Sequence, residues 1–331
     1  MEQQSIITMM RIKSTYQIQQ SKKAKELIKT NNIFNGDAGG KLFPTDNGLL
    51  PKADFLLNSR NNLYHFMAQE LIDYFVQNEI AFWETGIAGV DEYNMPTGHT
   101  LSSQVSCLNH LFPLRKDKKA VEATFGISNA EKTDDGYIAF EYTNNNIAYL
   151  KESHETRGMR CTSIDAFVKS NDMGIGIEWK YTETDYDVTM ADAYWKQKYT
   201  DRYQPLLKDS NIIENDSLIS CQLYYELMRQ TLLLEQMTRH NEIADYKNIV
   251  VCPRGNKALF ESCQNWKANL KDHTKFEVID PKDLLKNIDE TKYKDLIYYL
   301  ATRYWRYYLP TLSVIHLTTN IISTDNTTIL K

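Results

Sequence analysis

Two apolar, β-branched runs around a turn-forming patch constrain this 331-residue chain more than any other feature. The runs are Thr162-Ser163-Ile164-Asp165-Ala166-Phe167-Val168-Lys169 and Ile175-Gly176-Ile177-Glu178-Trp179-Lys180-Tyr181; between them lies Ser170-Asn171-Asp172-Met173-Gly174. Such runs flanking Asn, Asp and Gly predict a β-hairpin. Pairing carried outward from a turn centred on Asn171-Asp172 brings Asp165 opposite Glu178. Side chains alternate along a strand, so Asp165, Glu178 and Lys180 share one face. Ile164, Ala166, Val168, Ile175, Ile177 and Trp179 take the other, which is expected to face the core.

Directly opposed residues have Cβ atoms about 5 Å apart, and like charges there destabilise the pair. Water or a cation relieves that repulsion. A hard divalent ion such as Mg²⁺ prefers carboxylate and carbonyl oxygens, so Asp165, Glu178 and the Trp179 carbonyl are candidate metal ligands. Lys180 would then orient or deprotonate a metal-bound water. The set suits phosphodiester hydrolysis. A plainer alternative stays open on spacing alone: an exposed sheet face on which Lys180 screens two acids.

Asp165, twelve residues, then Glu178-Trp179-Lys180 resembles the signature of the PD-(D/E)xK nuclease superfamily, which includes restriction endonucleases. The phrases His99-Thr100-Leu101-Ser102-Ser103-Gln104, Asn109-His110-Leu111-Phe112-Pro113-Leu114, Thr162-Ser163-Ile164-Asp165 and Glu178-Trp179-Lys180-Tyr181-Thr182-Glu183 are similar to a bacterial family within it. The resemblance covers roughly residues 60–260. It implies a three-layer α/β core, αβββαβ, with a mixed central sheet flanked by helices and with N- and C-terminal helical additions. It implies Asp165 and Glu178 as metal ligands and Lys180 as the catalytic lysine of a Mg²⁺-dependent endonuclease, with Mn²⁺ able to substitute. Ile164 stands where the family name has Pro, a common variation. Relatives often add an acid from the helix before the sheet. The matching helix, 100–111, has none, so either Gln104 stands in or Glu141, on the first strand, supplies the carboxylate. Relatives also often carry a Gln on the helix after the motif. Gln222 is the candidate, with Tyr225 and Arg229 on the same stripe, and Arg229 and Ser103 are further candidates for substrate contact. A solvated helix face is the plain alternative for that stripe.

Along the rest of the chain, residues 1–60 read as a polar extension. The nuclease core is expected over 61–285, and a helix and polar tail packed on it over 286–331. Three- and four-residue spacing predicts a helix over 61–77; a second is expected over about 100–111, stopped by Pro113. Strands are expected at Tyr137–Tyr142, Ile147–Leu150, Thr162–Lys169, Ile175–Thr182, Asn248–Cys252 and Lys275–Ile279. Helices are expected at Ser220–Arg239 and Lys292–Leu309, and the Thr318–Lys331 tail is expected to be loosely held. Asn35-Gly36-Asp37-Ala38-Gly39-Gly40-Lys41 fails as a phosphate loop, because Asn35 and Leu42 stand where Gly and Ser or Thr are needed.

Composition narrows the function. With 38 Lys and Arg against 43 Asp and Glu, the net charge is −5, which excludes a basic coat for nucleic acid and demands a local site. Five cysteines without a C-x-x-C pair argue against disulfides and thiolate zinc, and no long apolar run marks a membrane span. A cytoplasmic setting is the default. His99 and His110 lie too far apart along one helix to share a metal. Arg303-Tyr304-Trp305-Arg306-Tyr307-Tyr308 interleaves cations with aromatics as single-strand binders do, although a packed Tyr-rich helix explains it too. Arg254 ends a strand where it can face a substrate groove. DNA is the expected partner and a homodimer follows from the resemblance. The rival from another class is a catalytically silent nucleic-acid-binding module; a carboxylate-pair glycosidase is disfavoured by Lys180.

Overall fold

The computed structural model describes residues 14–305 except 31, 46–47, 83–94, 154–155, 159–160, 185–192 and 215–220. Ser220, Arg306, Tyr307, Tyr308 and the Thr318–Lys331 tail lie outside the described residues.

Helix α1 (Thr15–Thr30) buries Tyr16, Gln20, Ala24 and Leu27, a stripe at helical spacing within a polar segment. In the loop that follows, the Asp37 carboxylate accepts from the N–H groups of Gly39, Leu57 and Asn58 at 2.8, 3.0 and 2.9 Å. The amides an anion would need are spent on Asp37, so this is a structural knot. Strands β1 (Lys41–Thr45) and β2 (Gly48–Lys52) form a separate two-stranded sheet.

Helix α2 (Ala68–Gln77) begins seven residues later than its spacing predicts. Tertiary bonds hold the preceding stretch out of the helix: Tyr64 N–H donates to Asn109 Oδ1 at 2.6 Å, and Asn109 Nδ2 donates back to the Asn62 carbonyl at 3.0 Å. Helix α3 (Ser103–Leu111) starts at Ser102, whose hydroxyl accepts from Val105 N–H. Helix α4 (Lys118–Phe125) starts at Asp117 and closes on Gly126 at φ 63°.

Strands β3 (Ala130–Glu131) and β4 (Ala139–Tyr142) come next. Ile147–Leu150, expected as a strand, is part of helix α5 (Asn146–Leu150). A short apolar run carries too little periodicity to separate the two states. The hairpin follows as β5 (Ile164–Ser170) and β6 (Met173–Trp179). Helix α6 (Ala193–Lys198) passes through a π-helical turn, Tyr199–Tyr203, into α7 (Gln204–Leu207). The long helix α8 (Gln222–Arg239) leads to β7 (Asp245–Val251), α9 (Lys257–Trp266), β8 (Phe276–Ile279) and α10 (Pro281–Leu284). The last helix, α11 (Lys294–Leu300), ends in a π-helical turn over Ala301–Trp305.

The main sheet has six strands, ordered β3-β5-β6-β7-β8 with β4 also on β5. β3, β4 and β6 run antiparallel to β5, whereas β6, β7 and β8 are mutually parallel. α3 packs on one face and α8 on the other, so α3-β4-β5-β6-α8-β7 gives the αβββαβ order, an α/β sandwich with a mixed sheet between helices. The hairpin register is the expected one, Ala166 facing Ile177 and Ser170 facing Met173. Asn171 and Asp172 both take positive φ, 45° and 65°, as a two-residue turn matched to strand twist requires.

Two expectations about the hairpin faces change. Ile164 packs with Phe167 and Leu234 rather than with Ala166 and Val168. The acid-bearing face is also not open: α8 covers it so closely that a Cβ on Gly176 would lie 2.9 Å from Leu234 Cδ1. One apolar cluster runs from Tyr16 and Leu27 through Phe75, Val105 and Ile177 to Leu300 and Tyr304, so α1 and α11 pack on the same core as the sheet.

Candidate active site

Three adjacent strands each bring a carboxylate to one level of the sheet. β4 and β5 pair at Phe140–Ala166 and at Tyr142–Ile164, passing over Glu141 and Asp165. β5 and β6 pair as far as Ala166–Ile177, and Glu178 follows. At the skipped pair on β4, Glu141 takes φ 48°, a left-handed conformation for a residue with a side chain. Such backbone costs on the order of 1–3 kcal/mol and is kept where it aims a group. Asp165 Oδ2 accepts the Trp179 N–H at 2.6 Å, which ties the carboxylate to the end of β6.

Lys180, one residue beyond β6, stands between two acids: its Nζ lies 2.6 Å from Glu178 Oε1 and 2.7 Å from Glu226 Oε2. Gln230 donates to Glu178 Oε2, and Gln104 Nε2 donates to Glu141 Oε1 at 2.7 Å. Gln104 therefore does not replace the acid; it holds Glu141. Gln222 Nε2 donates to Glu226 Oε1 at 2.6 Å, so it acts on the cluster through Glu226. Ser103 is half-buried at the start of α3, next to Gln104.

Burial raises the Asp165 pKa well above the usual carboxylate range, and the charges of Glu178 and Glu141 add to the shift. Glu178 is raised by burial, partly offset by Lys180. Burial works against the Lys180 charge, but Glu178 and Glu226 outweigh it and push its pKa well up, so this side chain is an ammonium. Four acids against one cation leave excess negative charge in a buried place. The thiol of Cys107 is pushed up by burial and by the same three strand carboxylates, so it stays protonated.

Among the described residues no three His, Cys, Asp or Glu side chains converge on one point as ligands. Here Lys180 and Gln230 rest on Glu178, and Gln104 rests on Glu141. The donor set nevertheless fits a hard divalent cation: buried carboxylate oxygens, short of positive charge, on neighbouring strands. Trp179 contributes its N–H to Asp165, while its indole donates to Ser106 Oγ at 3.1 Å within the core.

The Arg229 guanidinium lies 5.0 Å above the Tyr225 ring and 3.9 Å from Glu152, which also accepts from Thr162 and Tyr203. Lys198 lies close by; burial lowers its pKa, and the charges of Arg229 and Arg202 lower it further. This is a local concentration of cations on an acidic chain. Arg303 and Tyr304 are buried, with Arg303 donating to the Asn62 backbone carbonyl and to Tyr299, so that part of the cation–aromatic run is core. His99 stacks on Phe55, and His110 is buried elsewhere.

Sequence reasoning missed Glu226 and Gln230. The signal was present: Gln222, Glu226 and Gln230 stand four residues apart, one polar stripe on a helix that packs against the sheet.

The family model described as "Restriction Endonuclease associating with ARP" matches residues 29–305. Searches of curated proteins and of solved structures found no match. The matched span takes in the whole six-stranded sheet, both flanking helices and every residue of the carboxylate–lysine cluster, and this chain belongs to that restriction-endonuclease family.

Proposed function

We propose that this chain is a divalent-metal-dependent DNA endonuclease of the PD-(D/E)xK type, working in restriction or defence. One observation carries the reading: Asp165, Glu178 and Glu141 stand on three adjacent strands beside Lys180, whose Nζ is fixed at 2.6 Å on Glu178. A solvated sheet face would leave these groups in water, whereas here Glu178, Glu141 and Lys180 are buried.

Asp165 and Glu178 would hold Mg²⁺, or Mn²⁺ in its place, with Glu141 as a third carboxylate held ready by Gln104. When bound, the ion stabilises charge on the phosphate and lowers the pKa of the attacking water. Lys180, kept as an ammonium with two of its three N–H groups on Glu178 and Glu226, would offer the third to the attacking water or the phosphate; it does not abstract the water's proton, which passes to bulk solvent. Gln230 fixes the Glu178 carboxylate, and Glu226 fixes Lys180. The cations Lys198, Arg202 and Arg229 meet the DNA backbone. Two copies would cut the two strands, and association with a partner protein, as the family description states, completes the proposal.

The test incubates the full chain with plasmid, linear duplex and single-stranded DNA, with Mg²⁺, with Mn²⁺ and with chelator, beside Lys180→Ala. We expect divalent-dependent cutting that the substitution reduces by at least about 10³-fold while the thermal melt stays cooperative. DNA binding without cleavage of any substrate would identify a silent binding module instead. Light scattering checks the dimer.

A further inference from the structure

Strands β6, β7 and β8 are parallel, so their carboxyl ends lie together, the usual place for ligands in parallel sheets. The residues that follow them, Tyr181, then Pro253–Gly255, then Asp280–Asp283, surround a pocket of about 520 Å³. Its floor and wall are rings: His110, Tyr181, Tyr304 and Trp305. They form one preset packing, with His110 and Tyr304 centroids 4.8 Å apart and Tyr181 edge-on to Tyr304 at 5.3 Å.

Polar groups within that frame are fixed. His110 is neutral, since burial pulls its pKa down to about 3; Nδ1 lies 2.6 Å from the Ser106 carbonyl and Nε2 accepts from Trp305 Nε1–H at 3.1 Å. Ser106 Oγ accepts from Trp179 Nε1–H at 3.1 Å, so its own proton is the one to offer an acceptor. At the mouth, Asp280 ties the two loops by accepting from Arg254 N–H and Lys282 N–H. The Arg254 guanidinium, 64% exposed, stands at that rim paired with Asp283 Oδ2 at 2.8 Å, and Lys282 beside it is exposed. Asp280 is occupied by backbone N–H groups and Asp283 by Arg254, which leaves the Lys282 ammonium and the outer guanidinium N–H groups to face a ligand. An aromatic well with one inner hydroxyl and these donors at its entrance matches a flat heterocycle that carries an anionic group on a short tether.

We propose that this pocket binds a single nucleotide. The base enters among Tyr181, Tyr304, Trp305 and His110, Ser106 donates to a ring nitrogen or carbonyl, and the phosphate meets Arg254 and Lys282. Strand alternation places Lys180 and Tyr181 on opposite sides of the end of β6, so the pocket lies beside the carboxylate cluster rather than within it. The nucleotide is either one extruded from bound DNA, which deepens the nuclease reading, or a free mononucleotide.

Two binding experiments test this on the full chain with chelator present, so neither depends on cleavage. In the first, deoxynucleoside monophosphates are titrated while tryptophan emission is followed. In the second, duplexes carrying 2-aminopurine at successive positions report unstacking of a base. Saturable quenching identifies a free nucleotide as a ligand; 2-aminopurine brightening without quenching identifies an extruded base. The paired substitution Arg254→Glu and Lys282→Glu lies on the surface and is expected to weaken either signal about tenfold. Neither signal, or a signal unchanged by the charge reversal, overturns the proposal. A nuclease that cuts DNA yet gives no signal removes this inference and leaves the proposed function standing; nucleotide binding without cleavage does the reverse.

Discussion

Lys180 shows how neighbours decide what a residue can do. Its position after Glu178-Trp179 is legible in the sequence, but its protonation state is not. Glu226, from a helix more than forty residues further on, supplies the second carboxylate that keeps it charged. Replacing Glu226 by Gln removes that support. The raised Lys180 pKa then falls, so the alkaline limb of the cleavage pH profile should move to lower pH, with the rate near neutrality down about tenfold. An unmoved alkaline limb in pH–rate curves would show that Glu226 does not tune Lys180. His110 titrates in the opposite sense. Its folded pKa of about 3 lies below the ordinary 6.5, so the stability it contributes is complete above pH 6.5 and is lost as pH falls toward 3. Urea midpoints measured across that window should fall with acidification, and the slope should be shallower in His110→Asn.

Among the elements, the hairpin was the most legible because its turn chemistry and its alternation agree. Asn171 and Asp172 accept left-handed backbone, and the register follows from where they sit. Asn171→Val puts a β-branched side chain at φ 45° and should cost about 1–2 kcal/mol in urea denaturation, whereas Asn171→Gly should cost nothing. Equal losses for the two would mean that the turn does not fix the register. Other elements were less legible. α5 was mistaken for a strand because a run this short has no clear period. The first turns expected of α2 are displaced by Asn109, whose side chain reaches across to residues 62 and 64. On α8 the stripe read from spacing, Gln222, Tyr225 and Arg229, differs from the one that reaches the cluster, Gln222, Glu226 and Gln230, because three- and four-residue steps from Gln222 lead to different faces.

At the scale of the molecule, the negative balance and the nucleic-acid reading are reconciled by uneven distribution. The acids that dominate the count include four gathered at one buried site, while Lys198, Arg202 and Arg229 crowd on the flank of α8. Replacing Lys198 and Arg202 together by Ala should reduce the slope of log affinity for duplex DNA against log salt by about 0.9 per lost phosphate contact. Binding curves over a salt series check this, and an unchanged slope would place the DNA elsewhere. Arg303 is the control. Buried among Asn62, Tyr299 and the ring of Phe34, it belongs to the packing that fastens the last helix to the core. Arg303→Ala should cost about 3 kcal/mol or more in a denaturation series and leave the salt slope alone.

The sequence by itself determined the hairpin and its register from Ala166–Ile177 to Ser170–Met173, because alternation and turn preference act over a few neighbouring residues. It also determined that α3 and α8 are helices, since their apolar spacing is long enough to show a period. Only the tertiary structure decided that α8 lies over the acid-bearing face, that Gln230 and Glu226 reach Glu178 and Lys180 while Arg229 turns to Glu152, and that Glu141 is aimed by a left-handed backbone. Those outcomes depend on how layers stack and where strand pairing breaks, and such contacts join residues too far apart in the chain for any local pattern to record.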